Sequence, residues 1–229
     1  MKRCIWCLQE FDHAPPEHII SESLDGYAVT DKVCEQCNKR MGHQLEEQAQ
    51  GFPLVVTARK RLGLIKVNPP TAPDETVFKR LIGKIALEFL AESDYDLSLD
   101  STFDRWREFV LDGVHQDDLL PRVSLGDIYM GMPGHRPIIG PRNWRHALFI
   151  EQFDRDLEIA VLLYGQILCK VRFGETERRV QRNHAVMSIR DGASKLYRWN
   201  RRESWKDQKI VIPGKKRKRG RRKPEPWFR

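Results

Sequence analysis

Four of the five cysteines of this 229-residue chain stand in two close pairs, Cys4-x-x-Cys7 and Cys34-x-x-Cys37. A two-residue spacer lets both sulfurs of a pair point at one ion. Two such pairs separated by a long insert have the spacing of a structural tetrathiolate zinc site. Closing that insert would hold together a segment with little core of its own. A pair of disulfides or a redox dithiol is the competing reading. The compartment argues against both, because the chain starts Met1-Lys2-Arg3 and then turns polar at Glu10 and Asp12, where a secretory signal needs an apolar stretch. Cytoplasm is therefore the expected compartment, and no apolar run approaches the ~20 residues that span a bilayer. The fifth cysteine, Cys169, lies in an apolar run and reads as a small buried hydrophobe. Inside the cysteine insert lies Pro16-Glu17-His18-Ile19-Ile20-Ser21-Glu22-Ser23-Leu24-Asp25-Gly26, and Asn38 directly follows the last cysteine of the frame. A carboxylate, an imidazole and an amide carbonyl are thus gathered around one stapled loop.

This run of cysteine pairs, Glu17-His18-Ile19-Ile20, Leu24-x-Gly26 and Cys37-Asn38 closely resembles the HNH endonucleases, in the group where two cysteine pairs bracket the catalytic strand. The resemblance covers residues 1 to about 45. It implies a ββα-metal fold, in which two short strands and a helix grip one divalent ion while zinc fixes the base of the finger. It further implies phosphodiester hydrolysis of DNA, with His18 as general base activating a water and with Glu17 and Asn38 as ligands of the catalytic ion. Relatives often carry His where this chain has Asn38; an amide oxygen is a hard donor suited to Mg²⁺ or Mn²⁺. The family usually places an Asn about five residues before the third cysteine to orient the catalytic His. Here the stretch reads Val29-Thr30-Asp31-Lys32-Val33, so Thr30 or Asp31 is left to hold the His18 ring. The competing role for Asn38 is a helix N-cap. His13, His43, His115, His135, His146 and His184 show no metal spacing among themselves and read as structural or solvated, with His43 the one on the Asn38 helix. A zinc module that binds nucleic acid or a protein partner without cutting is the alternative function.

The elements that must position these groups can be read from period and composition. Glu35 to Gln50 is rich in helix formers, and Gly51-Phe52-Pro53 breaks it. From Asp74, a plausible N-cap, Val77, Phe78, Leu81, Ile82, Ile85, Ala86, Phe89 and Leu90 recur at helical spacing. Residues 112–145 are rich in Gly and Pro and read as an irregular connection, after which Leu148-Phe149-Ile150 starts an extended run. Leu157 to Tyr164, a Gly165-Gln166 turn and Ile167 to Phe173 read as a hairpin inside an antiparallel sheet. The expected class is α+β: a finger over residues 1–50, a mixed helix and antiparallel-sheet domain over 51–213, and a disordered basic tail over 214–229.

The net charge of +8 is localised. Lys215, Lys216, Arg217, Lys218, Arg219, Arg221, Arg222 and Lys223 supply all of it, residues 51–214 carry +4, and the finger carries −4. DNA, the expected partner, would therefore be engaged through the tail. The Arg- and Trp-rich stretches, Arg142, Trp144, Arg145 and Arg178 to Trp205, are a second candidate surface.

Overall fold

The computed structural model of the chain describes residues 1–26, 28–65, 74–127, 145–180, 183–188 and 194–198. The basic tail, and Arg142, Trp144, Trp199 and Trp205, lie outside these residues.

The chain opens with two small hairpins. Strand β1 (Lys2–Arg3) pairs with β2 (Glu10–Phe11), and β3 (Glu17–His18) pairs with β4 (Val29–Thr30). Helix α1 (Glu35–Met41) follows, then a π-helical turn over Gly42–Glu46, then α2 (Glu47–Ala49). The second hairpin and α1 take the expected ββα order, and the β1–β2 hairpin precedes them. The break at residues 51–53 is where α3 (Pro53–Arg61) starts, with proline at a first-turn position whose missing N–H is harmless.

Helix α4 (Glu75–Ser93) is the spine. Asp74 caps it by accepting from the Thr76 N–H at 3.2 Å, as the sequence suggested. Every residue from Leu81 to Ala91 is buried, and a helix enclosed on all sides lies inside the molecule. Its far end runs into α5 (Tyr95–Ser98), capped by Asp94, and then α6 (Asp104–Asp112) and α7 (Gln116–Leu119). Gly83 lets α6 approach closely, since a Cβ there would meet a methyl of Val110 at 3.2 Å.

One face of α4 packs on a six-stranded antiparallel sheet of order β10-β9-β6-β7-β8-β5. Its strands are β5 (Val123–Asp127), β6 (Arg145–Phe153), β7 (Asp156–Leu163), β8 (Ile167–Glu175), β9 (Asn183–Ser188) and β10 (Ser194–Arg198). The β7–β8 hairpin turns where expected, with Tyr164 and Gly165 both at positive φ (57° and 67°). Leu157, Ile159, Val161 and Leu163 of β7 and Cys169, Val171 and Phe173 of β8 are buried. On the alternate face Glu158 pairs with Lys170 at 2.7 Å and Arg172 at 3.1 Å. The first part of the segment expected to be an irregular connection instead forms α7 and β5, and β5 pairs with β8, while residues 128–144 lie outside the described residues. Buried residues from Cys4 to Val180 form one continuous core that joins the finger, α4 and the sheet.

Candidate active site and metal centre

The two cysteine pairs converge. The Sγ atoms of Cys4, Cys7, Cys34 and Cys37 all lie within 4.8 Å of one another, with Cys7 and Cys34 at 3.8 Å. A tight turn aims the first pair: the Leu8 N–H donates to the Cys4 carbonyl at 2.9 Å, the Cys4 N–H to Gln9 at 2.8 Å, and Leu8 takes a φ of 59° to close it. Backbone N–H groups of Trp6 and Cys34 both point at the Cys4 sulfur, each at 3.4 Å. A hydrogen bond from the Cys37 thiol brings the Cys4 thiol down to about 5, and burial pushes Cys7 up to about 11. The four cannot all be thiolates unless a cation shares their charge. These cysteines are positioned to bind one metal ion.

The second hairpin presents the Glu17-His18 pair. Glu17 lies opposite Thr30 and His18 opposite Val29, so alternation sends Glu17 and Thr30 one way and His18 and Val29 the other. The burial follows suit: Glu17 and Thr30 are 3% and 2% exposed, whereas His18 and Val29 are half-buried. The buried face meets α4. The Thr30 hydroxyl donates to Glu92 at 2.6 Å, and Asp31 is ion-paired with Lys2 and Lys32. Both residues proposed to hold the His18 ring therefore carry other partners.

Glu17 meets a residue that sequence reasoning passed over. The ammonium of Lys84, 0% exposed on α4, stands 2.6 Å from Glu17 Oε1, 2.7 Å from Glu46 Oε1 and 3.1 Å from Glu88 Oε2. It also donates to the His18 carbonyl at 2.6 Å. Burial raises the Glu17 carboxyl against the pull of Lys84 and raises that of Glu88 further, while the three carboxylates outweigh desolvation and raise Lys84. Glu88 reaches the zinc-type knuckle as well, accepting from the Trp6 indole N–H at 3.1 Å. The available signal was Lys84-x-x-x-Glu88 within a helix apolar on nearly every side, because an opposite-charge pair on such a helix has nowhere to go but inward.

The loop after the pair is pinned from beneath. The Leu24 carbonyl accepts from His146 Nε2 and from the Tyr164 hydroxyl, each at 3.0 Å, and Asp25 pairs with Arg59 at 3.3 Å. Asn38 lies half-buried in the second turn of α1, whose N-cap is Cys34, so it is no N-cap itself. His43 is exposed on the π-helical turn and pairs with Glu47 at 3.1 Å. His146 is fully buried, and burial depresses it to about 4.

Residues 4–51 match the HNH endonuclease family. The matched segment holds both cysteine pairs, Glu17-His18, Leu24-x-Gly26 and Asn38, and stops at the start of the break before α3. Comparison with curated proteins and with solved structures finds no match to the chain. No helix among the described residues is long and apolar enough to cross a membrane. The HNH segment is thus a small finger leaning on α4, with His18 on its outward side and Glu17 on its inward side.

Proposed function

We propose that the HNH segment hydrolyses DNA phosphodiesters with His18 as the general base, on a finger stapled by zinc. The observation that carries this reading is the placement of His18: half-buried, on the strand face turned away from the core, in a hairpin fixed by the cysteine frame on one side and α4 on the other. Imidazole is the side chain suited to general-base work on water. Zinc fits the thiol set. A tetrahedron with Zn–S bonds of ~2.3 Å has edges of about 3.8 Å, and the Cys7–Cys34 sulfur separation is 3.8 Å.

The family resemblance also implies a hard divalent ion, Mg²⁺ or Mn²⁺, between Glu17 and Asn38. Such an ion would supply charge to the leaving oxygen. Glu17 as placed does not fit that role, because its Oε1 is 2.6 Å from the Lys84 ammonium and its side chain is 4% exposed. A divalent ion about 4 Å from an ammonium is repelled by about 8 kcal/mol at an effective dielectric of 20. This same observation favours a second reading, in which the finger binds DNA without cutting it. Supercoiled plasmid incubated with zinc-loaded protein and added Mg²⁺, Mn²⁺ or Ni²⁺ separates the two. Nicked or linear product supports hydrolysis; retarded but intact plasmid supports the binding module.

A further inference from the structure

The cluster around Lys84 is an oxygen cage with an ammonium at its centre. Three carboxylates and one carbonyl point at Nζ from β3, the π-helical turn and α4 itself, at 2.6 to 3.1 Å. An ammonium has three N–H bonds for these four acceptors. The His18 carbonyl and Glu46 take two of these N–H bonds, so Glu17 Oε1 and Glu88 Oε2 compete for the third and rely on the charge of the ammonium. Three acids against one base leave the pocket short of positive charge. A buried Lys is strongly disfavoured unless such partners surround it, so Lys84 and the acids are kept by one another.

We propose that Lys84 is the resident cation of the Glu17 pocket, an ammonium standing where a divalent ion would otherwise bind, so that Glu17 coordinates no metal while Lys84 is present. The inference rests on the HNH reading only in taking Glu17 as the cation-side residue of the Glu17-His18 pair. Hard divalent ions take oxygen ligands at about 2.0–2.6 Å, so the cage needs to contract by only a few tenths of an ångström around an ion once the ammonium is removed. Because Nζ also holds the His18 carbonyl, Lys84 is a positioning residue for the strand that carries the base.

The test counts Mn²⁺ bound to full-length, zinc-loaded protein by electron paramagnetic resonance, with no DNA present. Wild type is expected to bind no more Mn²⁺ than Glu17→Gln. Lys84→Ala should gain about one Mn²⁺ per chain, melt at higher temperature with Mn²⁺ than without, and lose both effects in Lys84→Ala/Glu17→Gln. If Lys84→Ala alone does not fold, Lys84→Ala/Glu88→Gln removes one acid with the base and should show the same Glu17-dependent Mn²⁺. A wild-type protein that binds one Mn²⁺ and loses it in Glu17→Gln overturns the proposal, and so does a folded Lys84 variant that binds none. Since DNA plays no part in this readout, failure of plasmid cleavage removes the hydrolytic reading and leaves the cation assignment standing.

Discussion

A Cβ on Gly26 would lie 1.9 Å from the Ile20 carbonyl oxygen and 2.5 Å from its carbon. Both atoms are backbone, so nothing flexible can yield, and the Leu24-x-Gly26 spacing in the sequence is explained by this close approach. Gly26→Ala should destabilise the protein by about 3 kcal/mol or more, measured as a fall in the urea midpoint at unchanged slope. A second residue tunes the same loop by its protonation. His146 donates from Nε2 to Leu24 and accepts at Nδ1 from the Tyr164 N–H at 3.3 Å; a proton on Nδ1 would face that N–H. Burial, which the hydrogen bond to Leu24 offsets only in part, takes its pKa from 6.5 unfolded to about 4 folded, with Arg59 lowering it further. The folded value is the lower one, so this stabilisation is complete above pH 6.5 and is lost as pH falls toward 4. The loss amounts to roughly 3 kcal/mol. Urea unfolding between pH 7.5 and 4.5 should show a shallower pH slope for His146→Gln than for wild type, and equal slopes would refute the assignment.

The elements that carried a strong period were legible. Helix α4 starts at its expected cap and the β7–β8 hairpin turns at its expected glycine, because capping chemistry and alternation are local signals. Helices α3 and α6 and strand β5 were not legible, since each has at most 9 residues and its identity is settled by packing on α4 or pairing with β8. The finger also depends on its neighbours more than its own length suggests. Arg107 of α6 donates to the Ile5 carbonyl at 2.7 Å, and the Tyr95 hydroxyl to that of Arg3 at 2.6 Å. The metal is still expected to dominate, because structural zinc contributes on the order of 10 kcal/mol, comparable to the whole stability of a domain at ~5–15 kcal/mol. Cys34→Ser should therefore leave the protein without zinc by elemental analysis and expose Trp6, buried at 2%, to solvent quenching of its fluorescence. Full zinc content in that variant would show that the four sulfurs are not the ligand set.

Across the whole molecule, the cysteine frame and the outward His18 were readable from the sequence, whereas the inward fate of Glu17 was not. Nothing local to Glu17 announces Lys84, 67 positions away on a helix whose apolar stripe conceals one charge pair. The charge distribution sets a different division of labour. The finger carries −4 before any tetrathiolate is added, so on the proposed function duplex affinity would come from elsewhere, and residues 215–223 hold eight basic side chains and no acidic one. If half of those displace counterions, protein ending at residue 213 should show a log K against log[salt] slope flatter by roughly 3–4 units, with any sequence preference retained. Parallel lines of equal affinity would move the DNA surface to the arginines from Arg178 onward. The most direct test of the account is the nicking rate of His18→Ala on supercoiled plasmid, in protein matched to wild type for zinc content and DNA affinity. A loss of about 10²–10⁴-fold is predicted, as for removal of a general base. Undiminished nicking by that variant would contradict the assignment of His18 and with it the mechanism.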